Sequence, residues 1–309
     1  MDRGAGRPAR RLLLGLLLGV LACALVSCTS AAQEGDSGPS TSRIRVASFD
    51  FVENRVLAEL YATALERAGF EVTRHLGLGP REVVAPALEQ GHVDLVPEYV
   101  GSTLRFLGFA SALAPEAVRA DLDRALAEKG LVALAFAPGQ DQNGVVVSQD
   151  TARRLGLRRI SDLARVAPGL SFGGPPECLE RPLCMAGLRA RYDVDFSAFV
   201  PFESRAATAE SLLAGSLDVG MLETVDAHLA DGRLVLLEDD RRLQPPENVV
   251  PVLREQVLDE HGARLRRVVD AVSATLTTSA LVELNRRAVL ERAPVERVAE
   301  QWLERHALG

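Results

Sequence analysis

The sequence predicts a two-lobed α/β protein. Three observations carry that expectation. A first run of strand-like and helix-like segments alternates through residues 43–136; the alternation restarts at Val145; and the chain ends in a nearly all-helical tail. Alternating strand and helix is the pattern of an α/β domain with a mostly parallel sheet. A helical tail with apolar stripes needs a surface to bury them, and the first block is the economical one. The chain then crosses between lobes twice, near residues 136–140 and 240–246. Two crossings make a two-segment hinge, with a ligand cleft between the lobes outside the carboxyl ends of strands.

The elements follow in order. Residues 43–49 alternate Ile44 and Val46 on one face and read as a strand. Residues 53–68 carry Val56, Leu57, Leu60, Ala64 and Leu65 at helical spacing and stop at Gly69. Strands are expected at 70–76, 93–96 and 131–136, with helices at 82–90 and 115–129. The second block gives strands at 145–148, 170–172, 199–202, 219–222 and 234–238. Helices at 150–155, 183–191, 206–214 and 224–230 separate them. After residues 248–253 the chain is almost all helix, with segments expected at about 255–260, 263–275, 279–291 and 294–307. The domain reading is residues 1–27 as signal, 28–42 as tether, 43–137 plus 246–309 as lobe 1, and 138–245 as lobe 2.

The N-terminus reads as an address. Arg3, Arg7, Arg10 and Arg11 precede an apolar run from Leu12 to Val26, which is shorter than a membrane-spanning helix. Leu25-Val26-Ser27-Cys28 resembles the lipobox of bacterial lipoproteins, in which the cysteine is lipidated and becomes the mature N-terminus. The alternative is a signal cut elsewhere, with Cys28 an ordinary residue. Arg10-Arg11 leaves export by the general or the twin-arginine route open. Residues 29–42 have the composition of a flexible tether. The expected location is the extracytoplasmic face of the cell membrane, held by a lipid anchor only. Losing residues 1–27 removes four Arg and one Asp and takes the net charge from −7 to −10. That balance excludes a nucleic-acid binder, which needs a basic face. Of four cysteines, Cys23 leaves with the signal and Cys28 takes the lipid. Cys178 and Cys184 remain, as a disulfide or as two free thiols.

No Gly-x-Ser-x-Gly elbow, His-Glu-x-x-His helix, Walker loop or Gly-x-Gly-x-x-Gly turn is present. The five histidines show no metal-ligand spacing. The expectation is therefore no catalytic residue, no metal, no cofactor and no enzyme. An exported enzyme reusing the fold is the rival reading.

The run Leu76-Gly77-Leu78-Gly79-Pro80-Arg81 through Pro97-Glu98-Tyr99-Val100-Gly101-Ser102 resembles the substrate-binding proteins of osmoprotectant ABC importers. These take glycine betaine, choline, carnitine and related solutes. Leu212-Leu213-Ala214-Gly215-Ser216-Leu217-Asp218-Val219, Gln244-Pro245-Pro246-Glu247-Asn248 and the tail through Gln301-Trp302-Leu303 carry the same likeness. The resemblance spans residues 43–309. It implies a type II periplasmic-binding-protein fold and a small-molecule ligand. It also implies membrane partners, an ABC permease with its ATPase.

The resemblance also implies a site. Aromatic faces cage a quaternary ammonium by cation–π attraction, and an arginine holds a betaine's carboxylate. The first cage tyrosine falls on Tyr99 and a nearby hydroxyl on Ser102. The acidic position after the first crossing falls on Asp141. Asn143, Glu223 and Glu247 stand where the other three cage tyrosines stand in the family. The carboxylate-binding arginine falls on Arg181. A pocket so altered is more acidic than a tyrosine box, and an amino acid or polyamine becomes the alternative ligand.

Overall fold

The computed structural model describes residues 43–109 and 115–308. The signal, tether and lipidation readings at residues 1–42 lie outside the described residues. Lobe 1 is built on a five-stranded sheet. Its strands are β1 (Ile44–Phe49), β2 (Val72–Gly79), β3 (Leu95–Tyr99), β4 (Leu131–Ala133) and β10 (Val249–Arg254), in the order β2-β1-β3-β10-β4. Lobe 2 is built on β5 (Asn143–Ser148), β6 (Ser171–Gly174), β7 (Ala198–Pro201), β8 (Val219–Glu223) and β9 (Leu234–Leu236). Their order is β7-β6-β8-β5-β9.

The two sheets share one plan: four of the five strands run the same way, as expected of a mostly parallel sheet, and one runs against them. In lobe 1, β2, β1 and β3 pair in parallel, whereas β10 runs antiparallel to both β3 and β4. In lobe 2, β7, β6 and β8 are parallel and β5 is antiparallel to β8 and β9. The inverted strand is in each case the one that has just crossed from the other lobe. A chain entering from the hinge side must run against strands whose carboxyl ends face the hinge.

Helices α1 (Val52–Arg67), α2 (Arg81–Glu89), α3 (Val100–Phe106) and α4 (Pro115–Ala127) belong to lobe 1. Helices α5 (Gln149–Leu155), α6 (Met185–Tyr192) and α7 (Arg205–Leu213) belong to lobe 2. Helix α3 is absent from the sequence expectation, which assigned no element between residues 96 and 115. The helix expected at 224–230 is only a short 3₁₀ turn, Ala227–Leu229, opened by Asp226 accepting from the His228 N–H.

The tail comprises α8 (Glu255–Thr275), α9 (Thr278–Asn285) and α10 (Val295–Arg305). Gly262, at φ +60°, breaks α8 into two helical pieces, where the sequence places a break between 260 and 263. One apolar core unites the tail with lobe 1: Leu57, Leu60 and Leu65 of α1 lie with Val269 and Val272 of α8 and Leu303 of α10. Two polar contacts fix the register inside it, Tyr61 Oη to Ser273 Oγ at 2.9 Å and Trp302 Nε1 donating to Thr275 Oγ1 at 3.1 Å.

The two crossing segments run side by side as an antiparallel pair. Gln140 bridges Asn248; the Asp141 N–H donates to the Glu247 carbonyl at 3.0 Å; and the Gln142 side-chain amide donates to the Pro245 carbonyl at 2.7 Å. Gly139 sits against the start of α9, where a Cβ would lie 2.6 Å from the Leu276 carbonyl oxygen. No helix among the described residues is long and apolar enough to cross a membrane.

Candidate functional site

The carboxyl ends of β1, β3 and β8 converge on the hinge, and a cavity of about 260 Å³ opens there between the lobes. Six of the seven positions carried over from the resemblance line it: Tyr99, Ser102, Asp141, Asn143, Glu223 and Glu247. Tyr99 is the last residue of β3 and caps α3. Asn54 of α1 ties this corner together, accepting from the Phe49 N–H at 2.8 Å and donating to the Pro97 carbonyl at 2.9 Å. The buried Asn54 amide thereby holds the end of β1 against β3.

Arg181 does not join them. It lies in the disulfide-closed segment, where Cys178 and Cys184 are bonded with Cα atoms 5.3 Å apart. Its guanidinium pairs with Glu177 one turn back at 2.9 Å, and its side chain is 61% exposed. Leu183 of the same segment lines the cavity in its place. The tight turn that precedes the Arg181 backbone sends its side chain toward Glu177.

Glu247 reaches the cavity with its carboxylate already engaged. Oε2 accepts from the Ser102 N–H at 2.9 Å, and Oε1 accepts from Ser102 Oγ at 3.0 Å and Arg105 Nη2 at 2.6 Å. The carboxylate caps the first turn of α3, where a negative charge meets unpaired N–H groups. Gly101 is required for this approach, since a Cβ there would lie 2.6 Å from the Pro246 carbonyl oxygen. Glu223 forms an ion pair with Arg205 Nη2 at 2.9 Å, and Arg81 holds the buried Glu98 through Nε and Nη2.

Two carboxylates have no such compensation. Glu53, in the first turn of α1, is 8% exposed and accepts only neutral donors, Tyr99 Oη at 2.7 Å and Asn285 Nδ2 at 2.6 Å. Burial, with help from the Glu223 charge, pushes its acid up to about 7. Asp141, on the first hinge segment, has an Oδ1 with no hydrogen-bond partner. Burial and the charges of Glu53 and Glu223 raise its acid well above the usual carboxylate range. Neither group forms an ion pair among the described residues.

Sequence reasoning missed four contributors. Phe51 follows β1 directly and is 42% exposed. Its ring lies 5.9 Å from Phe49 and 6.0 Å from Tyr99, so an aromatic surface does line the cavity. Glu53 and Arg205 were also findable, because both follow the carboxyl end of a strand, where α/β proteins place their sites. Asn285 carried no local signal; only the folding of the tail brings it in. Among the described residues no group of three His, Cys, Asp or Glu side chains is arranged to hold a metal ion.

Fold and cleft together define a two-lobed solute-binding protein. A family profile, the substrate binding domain of ABC-type glycine betaine transport systems (OpuAC), matches residues 42–305, and the chain belongs to that family. It is 28% identical over 299 residues to the glycine-betaine-binding protein of Pseudomonas aeruginosa, covering 93% of each chain. It is 24% identical to the carnitine transport binding protein OpuCC of Listeria monocytogenes, covering 90% of this chain and 91% of that one. Among solved structures, a glycine betaine/carnitine/choline ABC transporter protein superposes with a TM-score of 0.81 at 21% identity. That match covers 86% of this chain and 99% of the other. Ligand-free YehZ of Escherichia coli superposes at 0.78 and 23% identity, covering 87% of this chain and all of that one.

Proposed function

We propose that this chain captures a small quaternary-ammonium solute between its lobes and hands it unchanged to an ABC permease driven by an ATPase. The observation that carries the reading is the pairing in one cavity of an aromatic surface, Phe51 and Tyr99, with Asp141, a carboxylate that lacks a counter-charge, while Glu53 stands behind it on the Tyr99 hydroxyl. A diffuse cation is attracted to aromatic faces and gains from negative charge in a partly desolvated cleft. Each arginine at the cavity already faces a carboxylate of its own, so Glu53 and Asp141 have no cation beside them when they ionise, and a bound cation supplies one. Choline therefore binds more tightly than glycine betaine, whose carboxylate finds no free partner of Arg181's kind in the cleft.

Capture requires the lobes to close over the solute, and the paired hinge segments provide the pivot. Lipidation at Cys28 and export by the residue 1–27 signal would keep the receptor beside its permease; mass spectrometry of the N-terminal peptide tests that part. Calorimetric titration with choline, glycine betaine and carnitine tests the reading. The expected result is one ligand per chain, recovered unmodified, with choline tightest.

A further inference from the structure

Behind the solute cavity lies a second one of about 250 Å³. The two share Phe51, Asp141 and Glu223, which form the partition between them. The second chamber extends toward Glu53, Asp226, His228 and Asn285, and is thus walled by α1, the hinge, the end of β8 and the tail helix α9. The lobes already touch here. Val225 packs into the lobe 1 core, and its carbonyl accepts from Asn285 Nδ2 at 2.9 Å.

Two hydrogen-bond acceptors on side chains that line this chamber have no donor, and both atoms are buried. One is Asp141 Oδ1; the other is Asn285 Oδ1, on a side chain 7% exposed. The Asn285 amide cannot turn to relieve this. Its Nδ2 already serves two acceptors, Glu53 Oε2 and the Val225 carbonyl, and a flip would set its oxygen against the Val225 carbonyl, which can only accept. A buried acceptor without a donor is costly to keep. The charges point the same way. Arg205 pairs with Glu223, and His228 Nδ1 lies 2.8 Å from Asp226, while Glu53 and Asp141 have no cationic partner among the described residues. A quaternary ammonium cannot satisfy these oxygens, because it has no N–H.

We propose that the second chamber is a subsite for a cationic group bearing N–H donors, a protonated amine or a guanidinium. Asp141 Oδ1 and Asn285 Oδ1 accept its hydrogen bonds and Glu53 supplies counter-charge. The inference rests on the cleft being a solute site, and extends that site past the Phe51 partition. The group arrives either as a separate small cation or as the far end of an elongated dication whose first end occupies the solute cavity.

Ala206 gives a selective handle. It is exposed at the start of α7 and lines the second chamber but not the first, so Ala206→Trp fills one and spares the other. The purified full chain is titrated calorimetrically with choline, methylguanidinium and 1,4-diaminobutane, the last two with and without saturating choline. Methylguanidinium binding alongside choline, weakened at least about tenfold by Ala206→Trp while choline affinity stays within about twofold, establishes a separate subsite. Diaminobutane displacing choline, with only diaminobutane weakened by Ala206→Trp, establishes one elongated ligand. Choline binding with both N–H cations silent overturns the inference and leaves the solute reading standing. N–H cations that bind equally well to Ala206→Trp also overturn it, because they then occupy the first cavity. If neither choline nor any N–H cation binds, both readings fall.

Discussion

Glu53 shows how a single buried acid links the fold to its ligand. Its neutral form suits the ligand-free protein, because α1 buries it against the Tyr99 hydroxyl and the Asn285 amide, with Asp141, Glu223 and Arg205 nearby. The folded-state acid lies near 7, above its ordinary value of 4.5. The folded chain therefore holds a proton that the unfolded chain has lost between those values. Stability is greatest below about 4.5 for this group and falls as pH rises through 7, by up to about 3 kcal/mol. Urea denaturation of the ligand-free protein at successive pH values checks this, and Glu53→Gln flattens the dependence. The sign reverses for cation binding, since the ionised acid attracts the ligand; affinity rises with pH across the same range. Glu247 has the opposite character. Its oxygens meet three donors from α3, so Glu247→Ala acts first on the fold, costing about 2–4 kcal/mol in a urea titration.

Among the elements, the hinge pair and the disulfide-closed segment set the geometry most tightly. Gly139→Ala drives a methyl group into the Leu276 carbonyl where the first hinge strand meets α9. Overpacking of this kind costs about 1–3 kcal/mol and shifts the denaturation midpoint accordingly. Opening the Cys178–Cys184 bond releases a loop closed over a sequence separation of 6, worth about 2 kcal/mol of chain entropy; melting with and without reductant checks it. Most elements were legible from periodicity, since Leu57, Leu60 and Leu65 announce α1 and the alternation around Val46 announces β1. The inverted strands β5 and β10 were not. Their residues, Val145–Val147 and Val249–Leu253, are apolar runs that read alike in either direction. Helix α3 was missed because Gly101, Ser102 and Thr103 are weak helix formers; Glu247, distant in sequence, caps it. In the same way, six of the seven positions that the resemblance pointed to line the cavity, while Arg181 lies outside it, paired with Glu177 one turn back.

For the whole molecule, the shared plan of the two sheets is what makes a receptor. Each lobe turns the carboxyl ends of its parallel strands toward the hinge, so the cleft gathers Phe51 and Tyr99 from one side, Glu223 and Arg205 from the other, and Asp141 and Glu247 from the pivot itself. A ligand touching both lobes favours the closed form by the difference in its affinity for the two states. Small-angle scattering should accordingly show a smaller radius of gyration with saturating choline than without. At a hundred times its dissociation constant, the ligand should stabilise the fold by about 2.7 kcal/mol. The most direct test of the central claim is calorimetric titration of choline into the full chain at pH 8, beside Asp141→Asn. The account predicts one choline per chain and at least about tenfold weaker binding in the variant, because removing a hinge carboxylate removes charge that attracts the cation. Choline binding unchanged by Asp141→Asn, or no binding of choline or glycine betaine up to about 10 mM, would contradict it.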